Sequence, residues 1–426
     1  MKKIIAVYFV FIGIAAFAQD TITVMHYNLL NYGNTTSYCT TSNNNLADKD
    51  GYLKTILSYI HPDILEVNEI AGNTYIIGHL LDSCLNINGI NYYQHANYVN
   101  TNSSDIVSML YYNSDNFVLQ SQETVTTSVR DILLYKLYYR SYDLYTGDTA
   151  FLIPISAHLK AGSSTSDENE RASMAAAMMT HLNNIGSALN YMLSGDLNLK
   201  TSAEQAYQNL INDPNTSISF HDPINQPGNW YSNSNFASIH TQSTHTVNNG
   251  CAATGGMDDR FDIILLNNNI ITGSDHYQYI PGSYKAVGND GQHFNLAINA
   301  SPTNTSVPPN VLDALYNMSD HLPVVLDLYV DKTLVSVPSW TSSGFKIKIN
   351  NPVRDQINLS ITAARPGILR LSLLTLQGWV VFEKSDKLIK GPQKWNIPVS
   401  DLTPGMYLLR FEDEFQQVQV LKVIKS

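Results

Sequence analysis

Short apolar runs alternate with polar loops and with helix-like segments along the first three quarters of the chain. Thr21–Tyr27 alternates apolar and polar side chains, which predicts a strand, and apolar residues at helical spacing predict a helix over Gly51–Ile60 before Pro62. Further strands are predicted at Asp63–Val67, Ile106–Tyr112, Phe151–Ala157, Phe261–Leu266 and Leu322–Leu328, and one long helix at Glu170–Met192. Strands that alternate with helices and end in polar loops predict an α/β domain with a site at the strand ends.

The last quarter of the chain has a different pattern. From Phe345 to Ser426, short strand-like runs recur at spacings of about 8 to 12 residues with turn residues between them, which predicts a small all-β sandwich. Net charge changes at the same place: residues 19–330 carry 10 Lys and Arg against 28 Asp and Glu, whereas residues 331–426 carry 13 against 8. Such a change of sign indicates a domain boundary near Val330, with residues 331–344 as a linker and 345–426 as the second domain.

The N-terminus has the composition of a secretory signal. Lys2 and Lys3 precede an apolar run from Ile4 to Ala18 that ends in small residues, so residues 1–18 are predicted to be a signal peptide and the protein to be exported. No later segment is apolar for the roughly 20 residues that a membrane span needs. The chain has three cysteines, which allow at most one disulfide, and the sequence leaves open which pair would form it.

Four stretches place polar side chains at predicted strand ends. They are Met25-His26-Tyr27-Asn28, Asp63 to Glu69, Ser194-Gly195-Asp196-Leu197-Asn198 and Ser319-Asp320-His321-Leu322. Oxygen ligands such as Asn28, Glu69 and Asp320 suit Mg²⁺ or Mn²⁺. A histidine beside them suits the activation of water. Phosphoester hydrolysis needs both a cation at the phosphoryl oxygens and a base for the attacking water.

These stretches, in this order, resemble the endonuclease/exonuclease/phosphatase superfamily, the deoxyribonuclease I-like fold. Ser156-Ala157-His158 and Arg260-Phe261-Asp262 add two further matches, and the resemblance covers roughly Thr21 to Val330. Asn68 and Ile263 depart from the usual residues of the family, but no catalytic group is lost. The resemblance implies a four-layer α/β/β/α sandwich and a divalent-metal-dependent phosphoesterase.

Carried over position by position, the resemblance implies a role for each residue. Glu69 is expected to be the principal metal ligand, with Asn28 and Asp320 as further ligands. His321 is expected to be the general base, oriented by Asp262. Asp196 and Asn198 would hold the nucleophilic water and a phosphate oxygen, and His158 would bind the phosphate or assist the leaving oxygen.

Three ambiguities remain in the sequence. Ser-Asp-His also occurs at 274–276, but His321 is preferred over His276 because a core strand follows it and would hold its ring rigidly. His240 and His245 are expected to be loop residues, since no third ligand accompanies them. An additional Ca²⁺ at Asp258 and Asp259 is an alternative that the residues leave open.

The tail carries a second resemblance. Asn351-Pro352 near its start, Leu376-Gln377-Gly378, Leu402-Thr403-Pro404-Gly405 and the basic C-terminus resemble the C-terminal sorting domain of the type IX secretion system of Bacteroidetes, although Asn350 stands where proline is usual. The resemblance implies an export address with the secretion machinery as its partner. A carbohydrate-binding or fibronectin-like module is the alternative.

The substrate is less determined than the reaction class. A nuclease that acts on nucleic acid, most naturally extracellular DNA, is the preferred hypothesis because the protein is predicted to be exported. The acidic catalytic domain argues against it, since nucleases bind phosphates through Lys and Arg. The alternatives are a lipid or small-molecule phosphodiesterase or phosphatase of the same fold, and a non-catalytic surface-binding protein.

Overall fold

The computed structural model describes residues 20–141, 143–144, 147–187, 189–332, 345–349, 351–363, 366–375, 379–413 and 418–425. The chain divides into two compact units, Met1–Leu334 and Val335–Ser426. The predicted signal peptide, and the predicted linker beyond Lys332, lie outside the described residues, as do Asn350 and residues 376–378 of the tail motifs.

The large unit interleaves strands and helices. In chain order they are β1 (Asp20–Tyr32), α1 (Leu46–Ile60), β2 (Ile64–Ala71), α2 (Thr74–Leu80), β3 (Tyr93–His95), β4 (Ile106–Asn113), β5 (Phe117–Val125), β6 (Ile132–Tyr139), β7 (Phe151–His158), α3 (Thr165–Ile185), β8 (Asn190–Asp196), α4 (Gln205–Ile211), β9 (Phe220–His221), β10 (Asp262–Asn267), α5 (Asn268–Thr272), β11 (Tyr277–Tyr279), β12 (Lys285–Ala286), α6 (Pro309–Met318) and β13 (Val324–Val330).

Two sheets form the middle of this unit. The first has the strand order β11-β13-β1-β2-β4-β3, with β12 beside β13, and the second has the order β5-β6-β7-β8-β10-β9. β1 runs parallel to β2 and antiparallel to β13, and β8 runs parallel to β7 and antiparallel to β10. In the first sheet, the C-terminal ends of β1 and β2 therefore lie beside the start of β13. In the second sheet, the C-terminal ends of β7 and β8 lie beside the start of β10 in the same way.

Alternating side chains divide the core into three parts. Val24 of β1 and Met192 of β8 belong to the cluster between the sheets, whereas Met25 packs with α1 and α6. Leu193 packs with Met178 of α3 on the other side. Since both faces of each sheet are covered, the layers run helix, sheet, sheet, helix, and the predicted α/β/β/α sandwich is confirmed.

The predicted helix over Glu170–Met192 is wrong at its C-terminal end. Helix α3 begins after Ser164, which forms a capping box with Asp167, and ends at Ile185 because Gly186 adopts a left-handed conformation with φ +68°. Residues 190–196 form strand β8, where pairing with β7 and β10 overrides their helix-like composition.

The tail is all-β, as predicted. Its strands are β14 (Phe345–Ile349), β15 (Gln356–Ala363), β16 (Gly367–Thr375), β17 (Val380–Leu388), β18 (Gly391–Pro398), β19 (Gly405–Asp413) and β20 (Val418–Lys425). They form two antiparallel sheets, β14-β15-β18 and β17-β16-β19-β20, around one apolar core. Alternation is strict in β15, where Ile357, Leu359 and Ile361 are buried and the residues between them are exposed.

Candidate functional site

Six of the residues singled out from the sequence meet where β1, β2, β7 and β8 end and where β10 and β13 begin. Direct contacts join Asn28 of β1, Glu69 of β2, His158 of β7, Asp196 of β8, Asp262 of β10 and His321 before β13. Strand register explains the meeting: His158 and Asp196 are partners in the parallel pair, and Asp196 and Asp262 are partners in the antiparallel pair.

Glu69, His158 and Asp196 form a compact ligand cluster. One ligand atom of each lies within 4.8 Å of the others. Nε2 of His158 is 3.6 Å from Oδ2 of Asp196 and 3.9 Å from Oε1 of Glu69. Nδ2 of Asn28 donates to Oδ2 of Asp196 at 3.0 Å and to Oε1 of Glu69 at 3.3 Å. Asn28 thus bridges the two carboxylates.

Backbone geometry directs Glu69 into this cluster. Its φ of +59° is unusual for a residue other than glycine and turns its side chain away from the regular course of β2. Its Oε2 accepts hydrogen bonds from the backbone N–H of Asn31 at 3.1 Å and from Nδ2 of Asn31 at 3.4 Å. Glu69 is therefore anchored through one oxygen and presents the other to the cluster.

The second part of the site is an imidazole held by a carboxylate. Nδ1 of His321 donates to Oδ2 of Asp262 at 2.7 Å, and both side chains are buried. Because a carboxylate can only accept, Nδ1 carries a proton. Nε2 of His321 is 3.8 Å from Oδ2 of Asp196 and so faces the ligand cluster.

The electrostatics of these buried groups are coupled. Burial lowers the pKa of His321, but the carboxylates of Asp262, Asp320 and Asp196 outweigh it and raise that pKa well above the ordinary value. Burial also opposes ionisation of Asp262, yet His321 and His26 lower the pKa of its carboxyl. Asp262 therefore stays ionised beside the imidazole.

Burial perturbs the ionisation of two members of the cluster, Asp196 and His158. Burial raises the pKa of Asp196 to about 7, and Asp262 and Glu69 raise it while His321 lowers it. Burial, followed by the nearby Arg130 and His321 side chains, lowers the pKa of His158 well below the ordinary value, so His158 is neutral and its ring nitrogen can act as a ligand. Two carboxylates and a neutral imidazole suit a divalent cation, and the amide of Asn28 stands between the carboxylates as a donor.

Asp320 is not brought into this cluster. Its Oδ2 accepts hydrogen bonds from the backbone N–H of Ala253 at 2.8 Å and from Nε2 of Gln242 at 3.2 Å. Its Oδ1 is 4.0 Å from Nε2 of His321. In this arrangement Asp320 lies beside His321 and is not part of the Glu69, His158 and Asp196 group. Its role as a metal ligand stays a prediction.

Asn198 and Asn68 bind the strands to one another. The backbone N–H of Asn198 donates to Oδ1 of Asp196 at 3.1 Å, and its Nδ2 donates to the carbonyl of Leu159 at 3.2 Å. Oδ1 of Asn68 accepts from the backbone N–H of Asp196 at 2.9 Å across the two sheets. The side chain of Asn68 thus holds the backbone of Asp196 in place.

His276, His240 and His245 have partners other than the six residues of the site. His276 pairs with Asp331, whose Oδ1 is 2.7 Å from its Nδ1, so the two Ser-Asp-His sequences lie in different environments. Nε2 of His240 contacts the carbonyl of Trp230 at 2.8 Å, and His245 stacks on Tyr316 at 4.1 Å between ring centroids.

Sequence reasoning missed three neighbours of the site. Nε2 of Gln242 lies 2.7 Å from Nε2 of His321, and Nε2 of His26 lies 3.3 Å from Oδ1 of Asp262. Nζ of buried Lys49 donates to the carbonyl of Leu29 at 2.7 Å, under the turn that carries Asn31. Alternation in β1 would have placed His26 on the face of Asn28, whereas Gln242 lies in an aperiodic loop without such a signal.

Comparisons with known proteins agree with the resemblance seen in the tail. Residues 350–426 match the family described as "Secretion system C-terminal sorting domain". A search of curated proteins gives no significant match. No described helix is both long and apolar enough to span a membrane.

Three similar solved structures each match 72–74% of this chain. An endonuclease/exonuclease/phosphatase family protein from Bacteroides thetaiotaomicron is 12% identical, with a TM-score of 0.46, and the match covers 74% of this chain and 97% of that one. TDP2 of D. rerio complexed with a single-strand DNA product is 14% identical, with a TM-score of 0.45 and coverage of 72% and 98%. A mannosyl-6-phosphatase of Bacteroides thetaiotaomicron is 13% identical, with a TM-score of 0.44 and coverage of 72% and 99%.

At these identities the similarity of the large unit concerns the fold. The match of the tail identifies a domain, and such a domain marks a protein for export to the cell surface or beyond it. The chain therefore carries, at residues 350–426, a member of the secretion system C-terminal sorting domain family.

Proposed function

We propose that the protein is an exported, divalent-metal-dependent phosphodiester hydrolase that acts as a nuclease on DNA. The observation that carries the proposal is the position of His321 and its partner Asp262 next to Glu69, His158 and Asp196. A proton acceptor and a cation site within one cleft are what metal-assisted hydrolysis of a phosphodiester requires.

Glu69, His158 and Asp196 would hold the cation, with Asn28 between them. When bound, Mg²⁺ or Mn²⁺ would supply positive charge to the phosphoryl oxygens and offset the carboxylates that raise the pKa of His321. The neutral state of His158 favours ligation or phosphate binding over a role as the acid for the leaving oxygen. Asp320 stays a candidate ligand in this proposal.

His321 would take a proton from the attacking water at Nε2. Asp262 would keep the proton at Nδ1 in place and stabilise the imidazolium that forms. Asn198, tied to Asp196 through its backbone N–H, would help to orient the water and a phosphate oxygen. The carboxylates around the ring then favour the charged imidazolium after proton transfer.

Arg130 would bind the phosphate. It lies on the loop between β5 and β6, and its Nε and one Nη are buried without a hydrogen-bond partner among the described residues. Burial lowers the pKa of its guanidinium, while the carboxylates of Glu69 and Asp196 raise it. A phosphate oxygen would satisfy these donors, since arginine binds phosphate through charge-assisted hydrogen bonds.

Nicking of supercoiled plasmid by the purified protein tests the proposal. We expect nicking with Mg²⁺ or Mn²⁺, loss of nicking with a chelator, and loss in His321→Ala. Hydrolysis of a phospholipid head group or of a sugar phosphate, without nicking, would replace the nuclease with the lipid or small-molecule phosphoesterase. Absence of turnover on all of these substrates would leave a non-catalytic binding protein.

A further inference from the structure

One disulfide joins two loops beside the candidate site. Cys39 lies between β1 and α1, Cys251 lies in the loop before β10, and the two are 212 positions apart in sequence. Cys84, the remaining cysteine, is a buried free thiol. The sequence left the pairing open, because only the fold brings these two loops together.

The Cys39 side of the bridge reaches Glu69. Nδ2 of Asn31 is 3.7 Å from Sγ of Cys39, and the same side chain and its backbone N–H both donate to Oε2 of Glu69. Nδ2 of Asn44 donates to the carbonyl of Asn31 at 2.8 Å, which fixes that turn from the other side. Movement of the Cys39 loop would therefore displace the anchor of Glu69.

The Cys251 side reaches Asp320. Two residues beyond Cys251, the backbone N–H of Ala253 donates to Oδ2 of Asp320 at 2.8 Å. Oγ of Ser243 donates to the carbonyl of Ala253 at 2.7 Å, and Ser243 follows Gln242, which contacts His321. This loop therefore contacts the base side of the site through two separate hydrogen bonds.

Cys39 is buried, but exposed residues flank both ends of the bridge. Residues 246–250 are exposed, and so is Tyr38 next to Cys39. Nδ2 of Asn43 links the same two loops by donating to the carbonyls of Tyr38 and Asn249 at 2.9 and 3.0 Å, in an exposed position where such bonds contribute little. A covalent link is the stronger constraint on this part of the rim.

We propose that the Cys39–Cys251 disulfide is a positioning device for the cation site, which holds the Glu69 anchor and the Asp320–His321 segment at a fixed separation. This inference rests on the proposed function, because it assumes that Glu69 belongs to a cation site. Both ends of the bridge lead to site residues within a few covalent or hydrogen bonds. Asn31 is hydrogen-bonded directly to Glu69, and removal of such partners of ligands commonly changes metal affinity by about 10–100-fold.

Binding of Mn²⁺, measured by electron paramagnetic resonance without substrate, tests the inference. The full chain would be reduced with TCEP, freed of reductant by gel filtration without oxygen, and compared with the oxidised protein and with Cys39→Ser/Cys251→Ser. We expect the affinity for Mn²⁺ to fall by about 10–100-fold in both and to return when the reduced wild type is reoxidised. Cys84→Ser is the matched control and should bind like the wild type. Near-ultraviolet circular dichroism would show that each sample is folded.

A second variant separates positioning from general stability. Asn31→Ala leaves the disulfide intact but removes the side-chain link from Cys39 to Glu69, so we expect it to weaken Mn²⁺ binding and to make that binding less sensitive to TCEP. Equal Mn²⁺ affinity in the oxidised and reduced folded protein would overturn the inference while leaving the proposed function intact. Absence of Mn²⁺ binding in the oxidised wild type would instead refute the proposed function and the cation site on which the inference depends.

Discussion

His321 and Asp262 are 59 positions apart in sequence, yet Nδ1 of the imidazole donates to Oδ2 of the carboxylate at 2.7 Å inside the protein. Asp262 begins β10 in the second sheet, and His321 lies three residues before the start of β13 in the first sheet. The pair therefore spans the two sheets at the edge where Glu69 and Asp196 also lie.

Replacement of this pair should reduce turnover more than binding. His321→Ala removes the proton acceptor, and we expect kcat for a phosphodiester to fall by about 10²–10⁴-fold, the usual contribution of a general base, with a smaller change in KM. Asp262→Asn should also reduce kcat, because the amide can present a donor to Nδ1. Steady-state kinetics check both variants, and His276→Ala is the control, since that histidine follows the other Ser-Asp. Equal losses in His276→Ala would contradict the assignment.

Glu69 should determine cation binding. Glu69→Gln keeps the size of the side chain but removes its charge, so we expect Mn²⁺ binding to weaken and the metal concentration needed for activity to rise. Isothermal titration calorimetry measures the first and activity against metal concentration the second. Glu168→Gln, an exposed change in α3, should leave both unchanged. Unchanged Mn²⁺ affinity in Glu69→Gln would show that the ion binds elsewhere.

Gln242 should help to position both His321 and Asp320. Its amide contacts Nε2 of His321 at 2.7 Å and Oδ2 of Asp320 at 3.2 Å, and a rotated amide would offer its oxygen to a protonated Nε2. We expect Gln242→Ala to lower kcat/KM by roughly 10–100-fold, the equivalent of one hydrogen bond to a charged group. Gln278→Ala, exposed on β11, is the control. Wild-type kinetics in Gln242→Ala would show that the contact is incidental.

Arg130 should act on substrate affinity. If its unpartnered guanidinium nitrogens bind a phosphate oxygen, Arg130→Met should raise KM and flatten the dependence of KM on salt, because one phosphate contact is lost. Arg130→Lys should recover only part of the affinity, since lysine cannot make the paired contact. Kinetics at several salt concentrations provide the measurement. A change confined to kcat would argue against phosphate binding by Arg130.

Glu66 should make the protein less stable as pH rises. It is fully buried in β2, neither carboxyl oxygen has a hydrogen-bond partner among the described residues, and burial raises its pKa well above the ordinary value. Above about pH 4.3 an unfolded glutamate ionises while the buried one keeps its proton, so the free energy of unfolding falls with pH until the folded-state pKa is reached.

Glu66→Gln removes this titration and keeps the shape. The difference in free energy of unfolding between Glu66→Gln and the wild type should therefore grow between pH 4.5 and 7, by up to about 1.4 kcal/mol per pH unit, in favour of the variant. Urea unfolding at a series of pH values checks it. Glu168→Gln, an exposed change, should show little dependence on pH. A constant difference for Glu66→Gln would mean that Glu66 ionises in the folded protein.

The sequence by itself determined the layered α/β architecture, the all-β tail and most of the polar residues at the strand ends. Period-two alternation and apolar runs depend on local burial, and Asn28, Glu69, Asp196 and His321 each follow or precede such a run. Polar side chains next to a strand can be located from the sequence, because the apolar pattern of the strand predicts where it begins and ends.

Only the tertiary structure decided which of these side chains touch. Helix α3 ends at the left-handed Gly186, and residues 190–196 form β8 because they pair with β7 and β10. The local composition of these residues favours a helix and does not show that pairing. Asp320 accepts hydrogen bonds from Gln242 and Ala253, and Cys39 forms a disulfide with Cys251. Both contacts involve loops whose sequences have no periodic pattern. Contacts between residues far apart in sequence depend on the packing of the whole chain. The cluster of Glu69, His158 and Asp196 and the disulfide therefore form only when the two sheets are assembled.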